Sequence, residues 1–235
     1  MSCCAIILSY KREQNIPCIV DSLLALAAVD HVIVSNNNPD IDLADLLSCQ
    51  LHNPRFELIQ QTTRCHCIKR FEIARELDYD YFICIDDDVF LTQDQILTLL
   101  NELRMNPEVV HGFNGQLECF NQDGLFLHGG VGFANHPIDV LNNAYFFTKN
   151  HVNKMYDIKS LIGFDNISDA IFLDDILLSF SGQGKPVCHD VGPVKFCPSS
   201  EKIGVATYKE NNFDSIRMNA YLKLRSLAPR DQREQ

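Results

Sequence analysis

Short apolar runs alternate along the first half of the chain with segments whose apolar residues recur at helical spacing. The run from Cys4 to Leu8 is apolar throughout, as expected of a buried strand in a parallel sheet. After it, apolar residues between Ile16 and Leu26 recur at helical intervals, which predicts a helix. This alternation continues to Met105 and is typical of βαβ units around a parallel sheet. The predicted elements are strands at 4–8, 31–35, 56–59 and 81–85 and helices from Asn15 and over 43–47, 63–77 and 93–105.

The second half of the chain has a less regular pattern. The elements predicted there are strands at 109–113, 125–133 and 144–148 and helices over 150–158, 173–181 and 215–224. No low-complexity linker and no internal repeat divides the sequence. We therefore expect one α/β domain with a mainly parallel central sheet flanked by helices and a mixed second half.

Composition and charge narrow the class of function. A chain of 235 residues, 46% of them hydrophobic, can bury a sizeable core. Its formal net charge is −11, from 31 acidic and 20 basic residues. This balance argues against a general nucleic-acid-binding protein, which needs a basic surface to neutralise phosphates. A small molecule that carries a nucleotide is still compatible, because a divalent metal can bridge acidic residues to phosphates.

Ten cysteines require an explanation in terms of redox state. Most stand in apolar runs, where free cysteine behaves as a small buried hydrophobe. The close pair Cys65 and Cys67 lacks the spacing of a structural zinc site. The N-terminal apolar run is too short for a signal peptide, and no stretch is long enough to span a membrane. We expect a cytoplasmic protein whose thiols are reduced.

An acidic triplet, Asp86, Asp87 and Asp88, directly follows the strand predicted at 81–85. Adjacent carboxylates repel one another, so a cation or strong hydrogen-bond donors must stabilise them. Ligands of open α/β sheets bind at the carboxyl ends of the strands, where this triplet stands. Its oxygens suit Mg²⁺ or Mn²⁺, whose remaining coordination positions take substrate phosphates. The alternative is a solvated acidic turn before a helix.

A second acidic pair, Asp174 and Asp175, stands inside the apolar run at 171–180. Two carboxylates in such a run are costly unless they face a polar cleft or have partners. We therefore expect at least one of them to face an active site. The alternative is the first turn of a helix, where aspartate is also favoured.

Four short motifs follow one another in a recognisable order. They are residues 9–12 (Ser-Tyr-Lys-Arg), residues 35–37 (Ser-Asn-Asn), the acidic triplet and residues 174–176 (Asp-Asp-Ile). In this order the chain resembles a GT-A-fold glycosyltransferase with a Rossmann-like sheet. It is most similar to the exostosin-like, heparan-sulfate type N-acetylhexosaminyltransferase catalytic domain. The resemblance extends over residues 4–182, lacks the Trp of that family's Trp-Asn-Asn element, and has no histidine after His189.

The resemblance implies a reaction and a domain organisation. It implies one GT-A domain over 1–235, with a nucleotide-binding half at 1–90 and an acceptor-binding and catalytic half at 91–235. The reaction would be hexosyl or N-acetylhexosaminyl transfer from a nucleotide-diphosphate donor, a UDP-sugar, to an acceptor hydroxyl on a glycan or glycoprotein. Mn²⁺ or Mg²⁺ would act as a Lewis acid on the diphosphate leaving group.

The resemblance also implies roles for individual residues. Asp88 and Asp86 would hold the metal. Asp175, with Asp174 beside it, would lie next to the anomeric carbon, as a general base in an inverting enzyme or as a stabiliser of an oxocarbenium-like state in a retaining one. His128 is assigned to the acceptor side, and a loop or core histidine is its alternative. The residues assigned to the donor nucleotide are Ser9, Tyr10, Arg12, Asn37, Arg70 and Asp87.

Three other functions are compatible with parts of the pattern. A phosphatase of the haloacid-dehalogenase type also has a strand followed by Asp-x-Asp, but that motif closes the first strand, whereas here three strands precede it. A sugar-phosphate nucleotidyltransferase needs a glycine-rich loop after the first strand, and residues 9–14 contain no glycine. A non-enzymatic binding domain on the same fold would have no need of an intact acidic triplet.

Overall fold

A central sheet of eight strands organises the part of the chain that the structure, a computed structural model, describes. The described residues are 1–122, 124–132, 134–163, 172–202, 207–209 and 211–227. The strands are β1 (Cys3–Ser9), β2 (His31–Asn36), β3 (Phe56–Gln60), β4 (Tyr81–Ile85), β5 (Val89–Phe90), β6 (His111–Gly112), β7 (Asn114–Asn121), β8 (Gly124–Gly132), β9 (His136–Pro137), β10 (Val140–Leu141), β11 (Ala144–Thr148), β12 (Val187–Cys188) and β13 (Lys195–Phe196).

The first half of the chain forms the parallel part of this sheet, in the order β3-β2-β1-β4. β1 and β4 are buried along their whole length, as their continuous apolar sequences require. The four strands confirm the predicted ones to within one residue at each end.

The second half makes the sheet mixed, as predicted. β11 lies antiparallel to β4, with Ala144 opposite Ile85, so β11 begins where β4 ends. β6 and β12 continue the sheet, and β9 closes its edge. Strands β10, β7 and β8 form a separate three-stranded sheet, and β13 pairs with β5 immediately after the acidic triplet. The strand predicted at 125–133 corresponds to β8, except that residue 133 lies outside the described residues.

The helices agree with the prediction except in two places. They are α1 (Ile16–Leu24), α2 (Lys69–Glu76), α3 (Gln93–Met105), α4 (Lys149–Leu161), α5 (Asp174–Ser179) and α6 (Phe213–Leu227). The helix predicted over 63–77 is wrong in its first six residues, because the Cys65 N–H donates to the Asn37 carbonyl across the loop. The helix predicted over 43–47 is a series of turns, in which Asp42 accepts from the Ala44 N–H and so competes with helical hydrogen bonding.

Helices cover both faces of the sheet. α1 and α3 pack on one face, and α2, α4, α5 and α6 pack on the other. All ten cysteines are free, and four of them, Cys3, Cys4, Cys84 and Cys188, are buried. The sequence predicts that most of the cysteines are buried in the core, whereas the structure buries only these four. Within the described residues, no helix combines the length and the apolar character that crossing a membrane requires.

Candidate active site

The acidic triplet lies at the carboxyl end of β4, next to the residues that follow β1. Because β1 and β4 are adjacent and parallel, both end at the same edge of the sheet. The Tyr10 N–H donates to Asp87 Oδ2 at 2.9 Å. The Arg12 guanidinium lies 2.7 Å from Asp87 Oδ1 and 3.2 Å from Asp88 Oδ2. The structure therefore brings the motif after β1 into direct contact with the triplet.

Arg70, on the first turn of α2, links the triplet to the second acidic pair. Its Nη1 lies 2.6 Å from Asp86 Oδ1, and its Nε lies 3.8 Å from Asp174 Oδ2. The side chain is almost fully buried, and burial alone would lower the pKa of Arg70. The charges of Asp86 and Asp174 more than offset burial and raise that pKa well above its usual value. Arg70 is thus a fixed positive charge between the two acidic groups.

Four donors surround the carboxylate of Asp175. Arg217 binds it in a bidentate manner, with Nη1 2.6 Å from Oδ1 and Nη2 2.8 Å from Oδ2. The Ile176 N–H donates to Oδ1 at 2.8 Å, and Asn142 Nδ2 donates to Oδ2 at 2.9 Å. An ionised carboxylate has about four acceptor positions, so these donors occupy all of them. A substrate group can reach an Asp175 oxygen only by replacing one of these donors.

Arg217 is itself firmly anchored in α6. It donates to the Phe172 carbonyl and to Gln116 Oε1, both at 2.8 Å, and its guanidinium lies 4.9 Å from the centre of the Phe213 ring. Burial opposes its charge, but Asp175 raises the pKa of Arg217 above the usual value. The sequence prediction does not select Arg217, because 42 residues separate it from Asp175 and no local pattern joins them.

The acidic cluster is short of positive charge. Its five carboxylates face three guanidinium groups, those of Arg12, Arg70 and Arg217. Burial raises the pKa of Asp87 to about 6, although Arg12 opposes this shift. Burial and then the charge of Asp86 raise the pKa of Asp88, and burial raises that of Asp174. A bound cation would relieve this deficit.

Asp86 and Asp88 fit a hard divalent cation. Both line the same cavity, and carboxylate oxygens are the ligands that Mg²⁺ and Mn²⁺ prefer. Among the described residues, no group of three or more His, Cys, Asp or Glu side chains is arranged to hold a metal ion. A cation here would therefore depend on water and substrate oxygens for the rest of its coordination, as Mg²⁺ commonly does.

A cavity of about 990 Å³ joins the two acidic groups. This volume lies at the upper end of the range for small-molecule sites. The predicted site residues that line it are Tyr10, Arg12, Asn37, Arg70, Asp86, Asp87, Asp88, Asp174 and Asp175. Ser9 is buried beside it, and its carbonyl accepts from the Asn37 N–H. His128 is exposed on β8, with its ring against Phe126, and does not line the cavity.

The cavity also contains residues that the sequence analysis does not select. They are Arg64, Gln116, Asn142, Asn143, Tyr145 and Arg217, among others. The Arg64 guanidinium lies 4.8 Å from the centre of the Tyr10 ring, at the end of the cavity near β1. Asn142 and Asn143 form a turn just before β11, and only the fold reveals that this turn lies beside the triplet.

Two comparisons relate the chain to known proteins. The model of the family described as glycosyl transferase family 2 matches residues 4–162. A crystal structure of TarS 1-349 from S. aureus matches with a TM-score of 0.56 and 11% sequence identity, covering 85% of this chain and 61% of that chain. A crystal structure of TarS 1-349 in complex with UDP matches with a TM-score of 0.56 and 10% identity, covering 83% of this chain and 59% of that chain.

These matches bear on the fold. The chain spans about three fifths of the TarS chains. At this level of identity the likeness is one of architecture, and it confirms the predicted GT-A fold. The family match extends from β1 to the end of α4 and so includes the acidic triplet.

Proposed function

The chain belongs to glycosyl transferase family 2, and from this premise we propose that it is a metal-dependent glycosyltransferase. It would transfer a hexosyl or N-acetylhexosaminyl group from a UDP-sugar to a hydroxyl group on a glycan or glycoprotein. The observation that carries this proposal is the single cavity in which the acidic triplet and the second acidic pair meet. The exostosin-like order of motifs favours the N-acetylhexosaminyl group.

The donor nucleotide is assigned to the end of the cavity formed by residues after β1 and β2. Tyr10, beside Arg64, offers an aromatic ring for a base, and Asn37 lines the same cavity. Arg12 and Arg70 supply positive charge toward a diphosphate. A TarS structure of the same architecture was solved with UDP, which supports the choice of a uridine nucleotide.

Mn²⁺ or Mg²⁺ is assigned to Asp88 and Asp86, whose oxygens fit a hard cation. When bound, the metal would act as a Lewis acid for the negative charge that develops on the diphosphate leaving group. Asp87 is held by Tyr10 and Arg12 and so fixes the loop that carries both ligands.

Asp175 is assigned to the reacting centre. In an inverting reaction the acceptor oxygen bonds to the anomeric carbon, the bond from that carbon to the UDP oxygen breaks with its electron pair, and Asp175 takes the acceptor proton. In a retaining reaction the same carboxylate would stabilise an oxocarbenium-like state. In either case the bidentate contact with Arg217 keeps Asp175 oriented.

The ten free thiols favour a reducing compartment, and we assign the reaction to the cytoplasm on that ground.

A panel of nucleotide sugars tests the proposal. We expect one UDP-sugar to raise the melting temperature in the presence of Mn²⁺ and to be turned over with release of UDP. Phosphate release from simple phosphomonoesters would instead indicate a phosphatase. Pyrophosphate release from UTP and a sugar phosphate would indicate a nucleotidyltransferase. No metal-dependent binding of any nucleotide sugar would indicate a binding domain and contradict the proposal.

A further inference from the structure

The turn formed by Asn142 and Asn143 lies between the two acidic groups. It precedes β11, which runs antiparallel to β4, so the turn is placed opposite the acidic triplet. Asn143 has a φ of 68°, in the left-handed region that asparagine tolerates better than most residues. Left-handed residues other than glycine are uncommon and cluster at functional sites.

Asn143 contacts the acidic triplet mainly through its backbone. Its carbonyl accepts from the Asp86 N–H at 2.8 Å, and its side-chain amide lies 3.5 Å from Asp86 Oδ2. Asn114 Nδ2 donates to Asn143 Oδ1 at 2.8 Å and fixes the side chain. The position of Asp86 therefore depends on the left-handed backbone of Asn143.

Asn142 contacts the second acidic pair through its side chain. Its Nδ2 donates to Asp175 Oδ2 at 2.9 Å, while its backbone N–H donates to the Asn114 carbonyl. The preceding residue strengthens this link, because the Leu141 N–H donates to Ser179 Oγ, which in turn donates to the Asp175 carbonyl. Two consecutive asparagines thus connect the end of β4 with the first turn of α5.

We propose that the Asn142–Asn143 turn is a positioning element that sets the distance between the acidic triplet and Asp175. Asn142 orients the Asp175 carboxylate by donating to Oδ2, whereas the Ile176 N–H donates to Oδ1. Asn143 orients Asp86 through its backbone. This inference rests on the proposed function, in which both acidic groups act on one donor. The two residues should therefore differ in their effect. Asn142 affects the chemical step, and Asn143 affects donor binding.

Substitution of Asn142 tests the first part. We expect N142A to lower kcat for UDP release from the donor by about tenfold, with donor KM and melting temperature close to those of the wild type. N142D should lower kcat further, because it places a second carboxylate beside Asp175. The matched control is N101A, on the exposed side of α3, which should change neither value.

Substitution of Asn143 tests the second part. N143A should weaken Mn²⁺-dependent UDP binding more than N143G, because only glycine adopts the left-handed backbone without strain.

A crystal structure of N142A should show the Asp175 carboxylate rotated, a readout that does not depend on activity.

The outcomes separate this inference from the function on which it rests. An active wild type whose kcat is unchanged in N142A, with Asp175 in place, would overturn the positioning role alone. Equal losses in N143G and N143A would overturn the backbone role of Asn143. A wild type that neither binds UDP nor turns over any UDP-sugar would overturn the proposed function, and the inference with it.

Discussion

The two acidic groups of the cavity are built in different ways. Two partners of the acidic triplet, Tyr10 and Arg12, come directly after β1. Asp175 is held by Arg217 and Asn142, which lie 42 and 33 residues away in the chain and belong to other parts of the fold. A triplet at strand ends follows from βαβ topology alone, whereas the second site exists only once the whole domain has folded.

The triplet and Asp175 also differ in how their charge is balanced. Burial raises the pKa of Asp87 to about 6, and burial and the charge of Asp86 raise that of Asp88. Asp175 instead has all its acceptor positions occupied by protein donors. The triplet thus suits the binding of a cation and a charged donor, whereas Asp175 suits a fixed orientation.

Removing Arg217 should give the largest effect, because it leaves Asp175 buried without its main partner. We expect R217M to lower the free energy of unfolding by about 3–5 kcal/mol in urea titrations. The control is R225M on the same helix, whose partly exposed guanidinium lies 2.7 Å from Glu118. That change should cost less than about 1 kcal/mol. Equal losses in the two variants would mean that the buried ion pair of Arg217 contributes no more to stability than the partly exposed ion pair of Arg225.

Replacing Asp175 should separate chemistry from binding. D175N keeps the shape of the side chain but removes its charge, so we expect transfer to fall by about a thousandfold while UDP affinity stays within about twofold. Steady-state kinetics and calorimetry with UDP measure the two quantities. Loss of UDP binding in a folded D175N protein would assign Asp175 to the donor site instead.

Replacing Asp88 should have the reverse signature. We expect D88N to weaken Mn²⁺-dependent UDP binding and to lower turnover by about a hundredfold, because one proposed metal ligand becomes a neutral amide. D94N, in the exposed first turn of α3, removes the same charge without touching the cavity and should behave as the wild type. Full activity of D88N would exclude Asp88 as a metal ligand.

Acid should lower the free energy of unfolding of the protein through His151. Burial lowers the pKa of His151 to about 4, below the value of about 6.5 in an unfolded chain. The unfolded state therefore binds more protons between these values, so this contribution to stability is present above pH 6.5 and is lost as the pH falls toward 4. The expected loss between pH 7 and 5.5 is about 1 kcal/mol.

H151Q is the matched variant for this effect. Nδ1 of His151 accepts from the Thr148 N–H at the start of α4, and glutamine can take the same capping role without titrating. Urea titrations at pH 7 and 5.5 should show a smaller loss in H151Q than in the wild type. The same loss in both proteins would assign the acid sensitivity to other groups.

The contrast between the two regions also explains what the sequence predicts. Strands β1 and β4 are continuous apolar runs, so their ends and the residues after them can be located from the pattern. Asp174 and Asp175 stand out because carboxylates are rare inside an apolar run. Arg217 and Asn142 carry no such local signal, since their partners are brought near only by the packing of α5 and α6 and by the antiparallel strand β11.

Contacts between distant residues also explain the error in the predicted helix and the position of His128. Residues 63–68 have a composition compatible with a helix, yet the Cys65 N–H bonds to the Asn37 carbonyl in the loop after β2. His128 has no partner pattern in the sequence, and its place on the exposed side of β8 depends on pairing with β7. In each case contacts between distant residues decide the local structure.

The most direct test of a metal-dependent nucleotide-sugar site is a calorimetric titration of the wild-type protein with UDP, in Mn²⁺ and again in excess chelator. We predict saturable binding with Mn²⁺ and an affinity at least about tenfold lower without it, because Asp86 and Asp88 would hold the proposed cation and the cation would supply positive charge for the diphosphate. Equal affinity in both conditions, or no binding of UDP in either, would contradict this account.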